Sequence, residues 1–538
     1  MSKIMDFNTE ARRKLQEGIN HLADAVVVTL GPKGRTVVFE KATGEPQVCN
    51  DGVTVAKQVE LDDPVEDLGA KMLRQAAVKT SETAGDGTTT ATLLARAMIN
   101  TGIKRIEVGA NPMGVRRGIQ KAVKSVVEEM KKMSVTIGDD MSKIEQVATI
   151  SANNDAEIGK LIADAMNRAG KESVITIEEA RGMDTTIEVV KGMRFDRGYL
   201  SPYFITDSEK LEVNYENPLI LIHDKKITAI KDILPLLEKV SKAGAPLLVI
   251  AEDIETDVLA TMVVNSLRGV LKIAAVKAPG FGDRRKELLK DIAILTGAIV
   301  ISEEDGYKLE NTELEQLGKC EKILVSKENT TIINGSGSKE DIQKRIHQIK
   351  AEFEQSTSTY DKEKLQERLA KLVGGVAIVY VGAATEMEMS EKKDRVDDAL
   401  NATRSAMEEG IVPGGGIVFL RAIPALEKLK SENEEENIGI FIVKKSLEEP
   451  LKQIVLNAGL EPNEIIQQVK TGKDDFGFNA KTEKFENLLA TGIIDPTKVG
   501  RLALENAASV AMMMLTTECV IATKREKEKP AMAMMPTL

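Results

Sequence analysis

The chain has 538 residues, of which 73 are Lys or Arg and 84 are Asp or Glu, for a formal charge of −11. At ~150 residues per core this length predicts roughly three or four domains, while 42% hydrophobic and 29% charged residues exclude a disordered or collagen-like chain. Lys and Arg are dispersed among an excess of Asp and Glu, which argues against nucleic acid or an anionic membrane as a partner, so any anionic ligand must be held locally.

Leu15, Ile19, Leu22, Val26 and Leu30 recur at steps of three and four, one face of a helix over 9–30 that stops at Gly31-Pro32. Two short strands, 36–40 and 47–49, are expected on either side of Gly44-Glu45-Pro46, followed by helices over 65–132. From about 173 the period becomes that of strands in SVITIEE and TTIEVV. PLILIHD, PLLVIAED, KIAAVKAP and AIVISEE then interleave with helical segments, as in an α/β unit. A long charged helical stretch spans 339–372, Gly374-Gly375 breaks it, and 385–535 is again mainly helical. The expected fold is multidomain, α and α/β, with helical ends flanking an α/β centre. The acidic run 432–436 and the tail KREKEKPAMAMMPTL read as a solvated loop and a mobile terminus.

The N-terminus turns charged and helical at once, without a secretory signal, and no apolar run approaches the ~20 residues of a membrane span. Cys49, Cys320 and Cys519 lie far apart without CxxC spacing, so neither a disulfide framework nor a zinc cluster is expected. A reducing, cytoplasmic location follows as the expectation.

AGDGTTTAT, residues 84–92, is the sharpest local signal, a Gly-rich turn running into the apolar-periodic helix of Leu93, Leu94, Ala97 and Met98. Glycine lets the backbone approach a ligand, a helix start offers unpaired N–H groups and a positive dipole end, and Thr88, Thr89 and Thr90 add hydroxyl donors. The combination suits a phosphate, with Asp86 as a candidate magnesium ligand; an ordinary N-cap with β-branched residues is the plainer alternative. No GxxxxGK[ST] occurs and no GxGxxG follows a strand, so neither a P-loop nor a dinucleotide-binding turn can be claimed. Thr29-Leu30-Gly31-Pro32-Lys33-Gly34 and Gly414-Gly415-Gly416 are further places where backbone could lie against a nucleotide, or else a helix stop and a loop. Asp51 reads most simply as a turn residue and Asp398 as a solvated helix position. His21, His223 and His347 are scattered and read as surface residues, which makes triad hydrolysis and His-rich metal sites unattractive.

The chain has 6 Tyr, 11 Phe and no Trp, yet Tyr199, Tyr203 and Phe204 crowd into GYLSPYF. The helical stretches 230–240 and 254–267 carry Ile233, Leu234, Leu236 and Leu237, then Val258, Leu259, Met262, Val263 and Val264, more than one narrow core stripe needs. A broad buried face and an exposed patch that binds other chains both fit.

TLGPKGR (29–35), AGDGTTTAT (84–92), ISANND (150–155), FDRGYLSPYF (195–204), KAPGFGDRRK (277–286), KLQERLAKLVGG (364–375), EEGIVPGGG (408–416) and DPTKV (495–499) together resemble the group I chaperonins, the bacterial GroEL type, from about residue 6 to 523. The resemblance implies an ATP-driven folding chamber: a homo-oligomer of two stacked seven-membered rings, closed by a co-chaperonin lid of GroES type, that encloses unfolded protein substrates. It implies an equatorial ATP-binding and ring-contact domain over 1–133 and 409–538, an intermediate hinge domain over 134–190 and 376–408, and an α/β apical domain over 191–375. By position, Thr29, Leu30, Gly31 and Pro32 would border the nucleotide, Gly87, Thr88, Thr89 and Thr90 would take the phosphates, and Gly415, Asn479, Ala480 and Asp495 would close on base and ribose. Asp86 would ligate Mg2+, and K+ is implied as well. Asp398 would position the attacking water with Asp51 assisting, since phosphoryl transfer asks for charge neutralisation and water orientation and needs no His. Tyr199, Tyr203, Phe204, Leu234, Leu237, Leu259, Val263 and Val264 match the surface for substrate and lid, and Gly192, Gly374 and Gly375 the hinges. Arg197 with Glu386, Asp155 with Arg395 and Glu409 with Arg501 are implied charge latches. Asn50 stands where many members have Lys, Lys481 where Ala is common, and the Gly-Gly-Met tail is missing. A non-cycling holdase or moonlighting paralogue is the alternative, against which intact Asp51, Asp86 and Asp398 weigh.

Overall fold

In the computed structural model, which describes residues 3–40, 44–138, 140–169, 174–180, 182–208, 210–356 and 358–524, the apolar spacing at 15, 19, 22 and 26 becomes the buried face of a helix, Asn8–Val27. The helical region expected over 65–132 is three helices, Pro64–Ala84, Thr88–Glu107 and Pro112–Met133. Each start has its own local cause. Asp63 and Asn111 each accept two main-chain N–H groups of the first turn ahead of a Pro, and Gly87 takes the left-handed conformation with φ +82°. Pro64–Ala84 crosses Asn8–Val27 so closely that a Cβ on Gly69 would lie 2.1 Å from the Leu15 carbonyl oxygen, which only glycine permits.

The chain divides into two compact units, Met1–Ala163 with Ala383–Leu538, and Asp164–Gly382. In the first unit both chain ends build one core. The helix Thr497–Leu515 packs against Thr88–Glu107 and Pro64–Ala84, and Leu22, Met98, Ile119, Phe419, Leu504 and Met514 belong to the same buried cluster. The ends also meet in an antiparallel ribbon, Lys3–Phe7 with Cys519–Thr523. The reading of 385–535 as mainly helical missed two further pairings, the hairpin Phe476–Asn479 with Lys484–Asn487 and the pair Ile411–Pro413 with Ile494–Pro496. Strands of three or four residues carry almost no period, and the second pair joins segments distant in sequence. The hairpin is held by rings, with the Phe485 centroid 5.8 Å from Phe476 and 5.1 Å from Phe478. The tail from residue 525 lies outside the described residues.

The acidic run 432–436 is not a loop. Asn433 caps the helix Glu434–Ser446, whose first turn carries Glu434, Glu435 and Glu436 where the positive dipole end favours them. Glu436 is buried against Lys121 Nζ (2.6 Å), Ser431 Oγ (2.5 Å) and Arg117 Nε (3.1 Å). Bonds from Lys121, Ser431 and Arg117 hold its carboxyl down at about 2. A carboxyl depressed in the folded state adds stability above its unfolded value of 4.5, and that share is lost as pH falls from there to about 2. Glu436→Gln is therefore expected to flatten the acid limb of stability between about 4.5 and 2, read from urea midpoints across that range; an unchanged slope counts against the assignment.

The second unit holds a seven-stranded mixed sheet in the order Ile273–Lys277, Leu247–Ala251, Leu219–Ile222, Gly318–Val325, Thr330–Gly335, Gly192–Phe195, with Val213–Glu216 also paired to Gly318–Val325. The first three strands are parallel, linked by the helices Ile230–Ala243 and Thr256–Leu267. LILI and LLVIA are buried throughout, as parallel strands covered on both faces are. A second sheet aligns Val174–Glu179, Val376–Val381 and Thr186–Val190. Two sequence expectations change here. AIVISEE makes no strand: Ile301 forms a single bridge to His223, its N–H donating to Ile222 O at 2.8 Å, and the chain then turns back on Ser302. His223, expected at the surface, is buried by this bridge, with Nδ1 2.7 Å from Ile301 O. The charged stretch 339–372 is two helices, Lys339–Gln355 and Thr359–Gly374, each with a Ser cap. The second stops at Gly375, φ +65°, where a Cβ would meet Val190 O at 2.5 Å. These two helices and Gly282–Thr296 surround Asp291, which is fully buried. Its Oδ1 accepts from Arg345 Nε at 2.7 Å and Arg368 Nη2 at 3.1 Å, and its Oδ2 from Arg368 Nε at 2.8 Å.

Candidate functional site

The first unit contains a cavity between its helices, and the loops around it explain its shape. Where Asn8–Val27 ends, Thr29 Oγ1 donates to Val26 O at 2.8 Å, Asn457 Nδ2 donates to Val27 O and Leu30 O at 2.9 and 2.8 Å, and Gly31 turns with φ +86°. The turn that carries Leu30, Gly31 and Pro32 is thus pinned from outside. Gly85 and Gly87, φ +76° and +82°, make the sharp passage between two helices, which brings Gly87, Thr88, Thr89 and Thr90, at a helix start whose first N–H groups have no partner within the helix, onto the cavity lining. Thr88 and Thr89 are buried, and Thr29 Oγ1 lies 3.3 Å from Thr89 Oγ1.

All the residues expected at a nucleotide line this one cavity: Thr29, Leu30, Gly31, Pro32, Asp86, Gly87, Thr88, Thr89, Thr90, Gly415, Asn479, Ala480 and Asp495, together with Asp51 and Asp398. Asp51 is more than a turn residue. It caps the helix Gly52–Gln58, Oδ1 accepting from Val53 N–H at 3.2 Å and Oδ2 from Thr54 N–H at 2.8 Å. Asp398 lies on the helix Glu386–Glu409 and belongs to the cavity wall, against its plainer reading as a solvated helix position. Gly415 and Gly416 both have positive φ and start the helix Ile417–Lys428; a Cβ on Gly416 would meet Leu451 N at 2.9 Å. Asn479 Oδ1 accepts from Lys481 N–H at 3.0 Å and its Nδ2 donates to Glu486 Oε1 at 2.6 Å, which fixes the hairpin edge. Asn50, Ser151, Asn153, Asn154, Asp394, Arg395 and Lys481 also line the cavity. Of these, Asn50, Arg395 and Lys481 enter the sequence reading through the resemblance, and Ser151, Asn153 and Asn154 lie in ISANND, where two consecutive Asn can take left-handed turns and both do.

Carboxylates outnumber cations on the lining, Asp51, Asp86, Asp394, Asp398 and Asp495 against Arg395 and Lys481. Burial, then the charges of Asp51, Asp86, Asp394 and Asp397, hold Asp398 well above the ordinary carboxylate range. Burial also raises Asp86, against bonds from Ser151 Oγ (2.6 Å) and Gly87 N–H. Asp495, beside the strand Ile411–Pro413, is pushed up to about 7 by burial and by Asp86. Facing carboxylates that are each costly to ionise make a place for a cation. Among the described residues no three His, Cys, Asp or Glu converge as a ready-made metal cage. Such a lining suits a metal that takes few protein carboxylates and completes its shell from water and an anionic ligand, as Mg2+ does. Two of the expected ion pairs border this region: Arg395 Nη1 lies 3.1 Å from Asp155 Oδ2, and Arg501 Nε 2.9 Å from Glu409 Oε2.

In the second unit the expected apolar surface is narrower than its eight residues. Tyr203, Leu234 and Val264 are 64%, 46% and 44% exposed, and Tyr199, Leu259 and Val263 are half-buried against the core. Phe204 and Leu237, 1% and 4% exposed, belong to the core itself, because the turn Pro202–Phe204 folds onto the helix Thr256–Leu267 and Leu237 faces inward from Ile230–Ala243. Among the described residues no helix is long and apolar enough to cross a membrane.

A helical unit closed by both chain ends, with an acidic, glycine-lined cavity and an α/β unit inserted in its sequence, defines a multidomain protein equipped for an anionic ligand and its cation. The model of the TCP-1/cpn60 chaperonin family matches residues 22–525, and the chain belongs to that family. Its members are in general chaperones and ATPases that bind ATP with Mg2+, form rings and bind unfolded polypeptides.

Proposed function

We propose that this protein is a group I chaperonin of the GroEL type, which binds Mg-ATP in the cavity of the first unit and uses its hydrolysis to capture, enclose and release non-native chains. The observation that carries the reading is the convergence, in one cavity, of Thr29, Asp51, Asp86, Asp398, Gly415, Asn479 and Asp495 from segments spread over the whole chain. In this reading Gly87 to Thr90 offer N–H and hydroxyl donors to the phosphates, and Gly415, Asn479, Ala480 and Asp495 hold base and ribose. Mg2+ on Asp86 would neutralise charge on the phosphate oxygens. Asp398, whose buried carboxylate is more basic than usual, orients a water in line with the γ-phosphorus and takes its proton as the new P–O bond forms; the bond to the β-phosphate oxygen breaks and ADP leaves. Asp51, fixed by its two main-chain bonds on the same cavity lining, assists it.

The equatorial, intermediate and apical division, the double seven-membered ring and the GroES-type lid belong to the same proposal. Capture is assigned to Tyr203, Leu234 and Val264, with Tyr199, Leu259 and Val263 behind them. Exposed apolar groups bury non-native segments without reading their sequence. The test combines Tyr203→Ser, Leu234→Ser and Val264→Ser. The triple variant is expected to lose arrest of a denatured client, measured as suppressed aggregation, and to keep ATP turnover. Client arrest at the unmodified level removes the assignment, and arrest without ATP-driven release in the unmodified protein indicates a holdase.

A further inference from the structure

Ser151, the last residue of the helix Met141–Ser151, has no part in the reading above. Its hydroxyl lies 2.6 Å from Asp86 Oδ2 and 3.3 Å from the main-chain carbonyl oxygen of Asp398. One hydroxyl has one proton, so the carboxylate takes it and the carbonyl is a second acceptor within reach. The other oxygen of Asp86 accepts from Gly87 N–H. Asp86 therefore has one oxygen committed to its own helix start and the other to Ser151, which leaves it a single orientation. The turn after Ser151 is held as firmly. Asn153 and Asn154 take φ +57° and +65°, and Asp155 then accepts from Arg395, three residues before Asp398 on the same helix. The segment from Ser151 to Asp155 thus touches the helix Glu386–Glu409 at two places and Asp86 at a third.

We propose that Ser151 is a positioning residue for the metal-bearing carboxylate. It sets the direction of Asp86 against the Asp398 turn, so that the affinity of the nucleotide site for a divalent cation depends on a hydroxyl bonded to the metal-bearing carboxylate. The inference rests on Asp86 being the Mg2+ ligand. Groups that orient a ligand in this way change metal affinity by about 10- to 100-fold when removed, because the ligand must then be ordered at the moment of binding.

The test is calorimetric titration of the full-length protein with ADP, with and without Mg2+, on Ser151→Ala, Ser151→Thr and Asp86→Asn. Ser151→Ala is expected to lower Mg2+ affinity at least about tenfold and to leave metal-free ADP affinity unchanged. Ser151→Thr, which keeps the hydroxyl, restores it. In hydrolysis assays Ser151→Ala raises the Mg2+ concentration for half-maximal rate more than it lowers kcat at saturating Mg2+. Should Asp86→Asn abolish the Mg2+ dependence while Ser151→Ala leaves it intact, the inference is overturned and the reading of Asp86 stands. If Asp86→Asn keeps the full Mg2+ dependence, the metal assignment falls and the inference with it. Equal loss of metal-free and Mg2+-dependent binding in Ser151→Ala marks a merely structural role and also overturns it. Where Ser151→Ala does not fold, Ser151→Cys, a weaker donor at the same place, decides: an intermediate loss supports the inference and the unmodified ratio refutes it.

Discussion

Asp398→Ala is expected to slow steady-state ATP hydrolysis by about 10²- to 10⁴-fold, the range associated with a positioned general base, while ATP still binds. The separation follows from where the residue sits. Asp398 contributes a carboxylate to the cavity wall, whereas the loops that shape the cavity are held by Asn457, Thr29, Gly85, Gly87 and the cap at Asp51, none of which it touches in the hydrogen bonds described. Removing it also takes one carboxyl from an acidic cluster in which its ionised form is disfavoured by burial and by Asp51 and Asp86, so an anionic ligand meets no added repulsion. Nucleotide affinity measured at equilibrium should therefore hold or rise as single-turnover hydrolysis collapses. Hydrolysis near the unmodified rate withdraws the role from Asp398 and leaves the cavity as a binding site only.

Asp291→Ala carries the largest expected loss of stability, about 3–5 kcal/mol, and confines it to the second unit. The side chain is fully buried and accepts from two guanidinium groups, Arg345 and Arg368, on two different helices; Arg345 Nη2 also reaches Glu287 Oε2 at 2.5 Å. Its deletion leaves the buried Arg345 and the half-buried Arg368 to share Glu287, which itself lies partly in solvent. Urea unfolding followed by hydrogen exchange should show early opening of Lys339–Gln355 and Thr359–Gly374 while the first unit stays protected. Replacing Asp291, Arg345 and Arg368 together by apolar residues of similar volume should return much of the loss, since a buried ion cluster is worth little against a packed core. Uniform protection in Asp291→Ala would show that the three helices hold by apolar packing alone.

Much of the architecture was legible because local chemistry speaks plainly at certain positions. The step of three and four at Leu15, Ile19, Leu22 and Val26 is a buried helix face, PLLVIAED is a strand buried on both sides, and AGDGTTTAT is a glycine turn at a helix start. AGDGTTTAT alone pointed to a phosphate and a cation at Asp86, but the rest of the candidate site was legible only through motifs recognised together, since Asp51 and Asp398 taken singly read as a turn and a solvated helix residue. What stayed hidden depends on distant partners. Glu436 became a buried anchor because Arg117 and Lys121 meet it from another helix, Phe204 left the surface because its turn folds onto a neighbouring helix, and Leu237 because it faces inward from Ile230–Ala243.

The order of residues alone determined the longer helices, the buried parallel strands and the capped or glycine-turned helix starts, because periodicity, capping side chains and left-handed glycines act within a few residues. Tertiary structure decided which carboxylates share one cavity, which apolar side chains remain exposed, and that Ser151 reaches both Asp86 and the Asp398 turn. Those facts depend on burial and on pairs far apart in the chain, and no short-range rule encodes a distance between segments that only packing brings together.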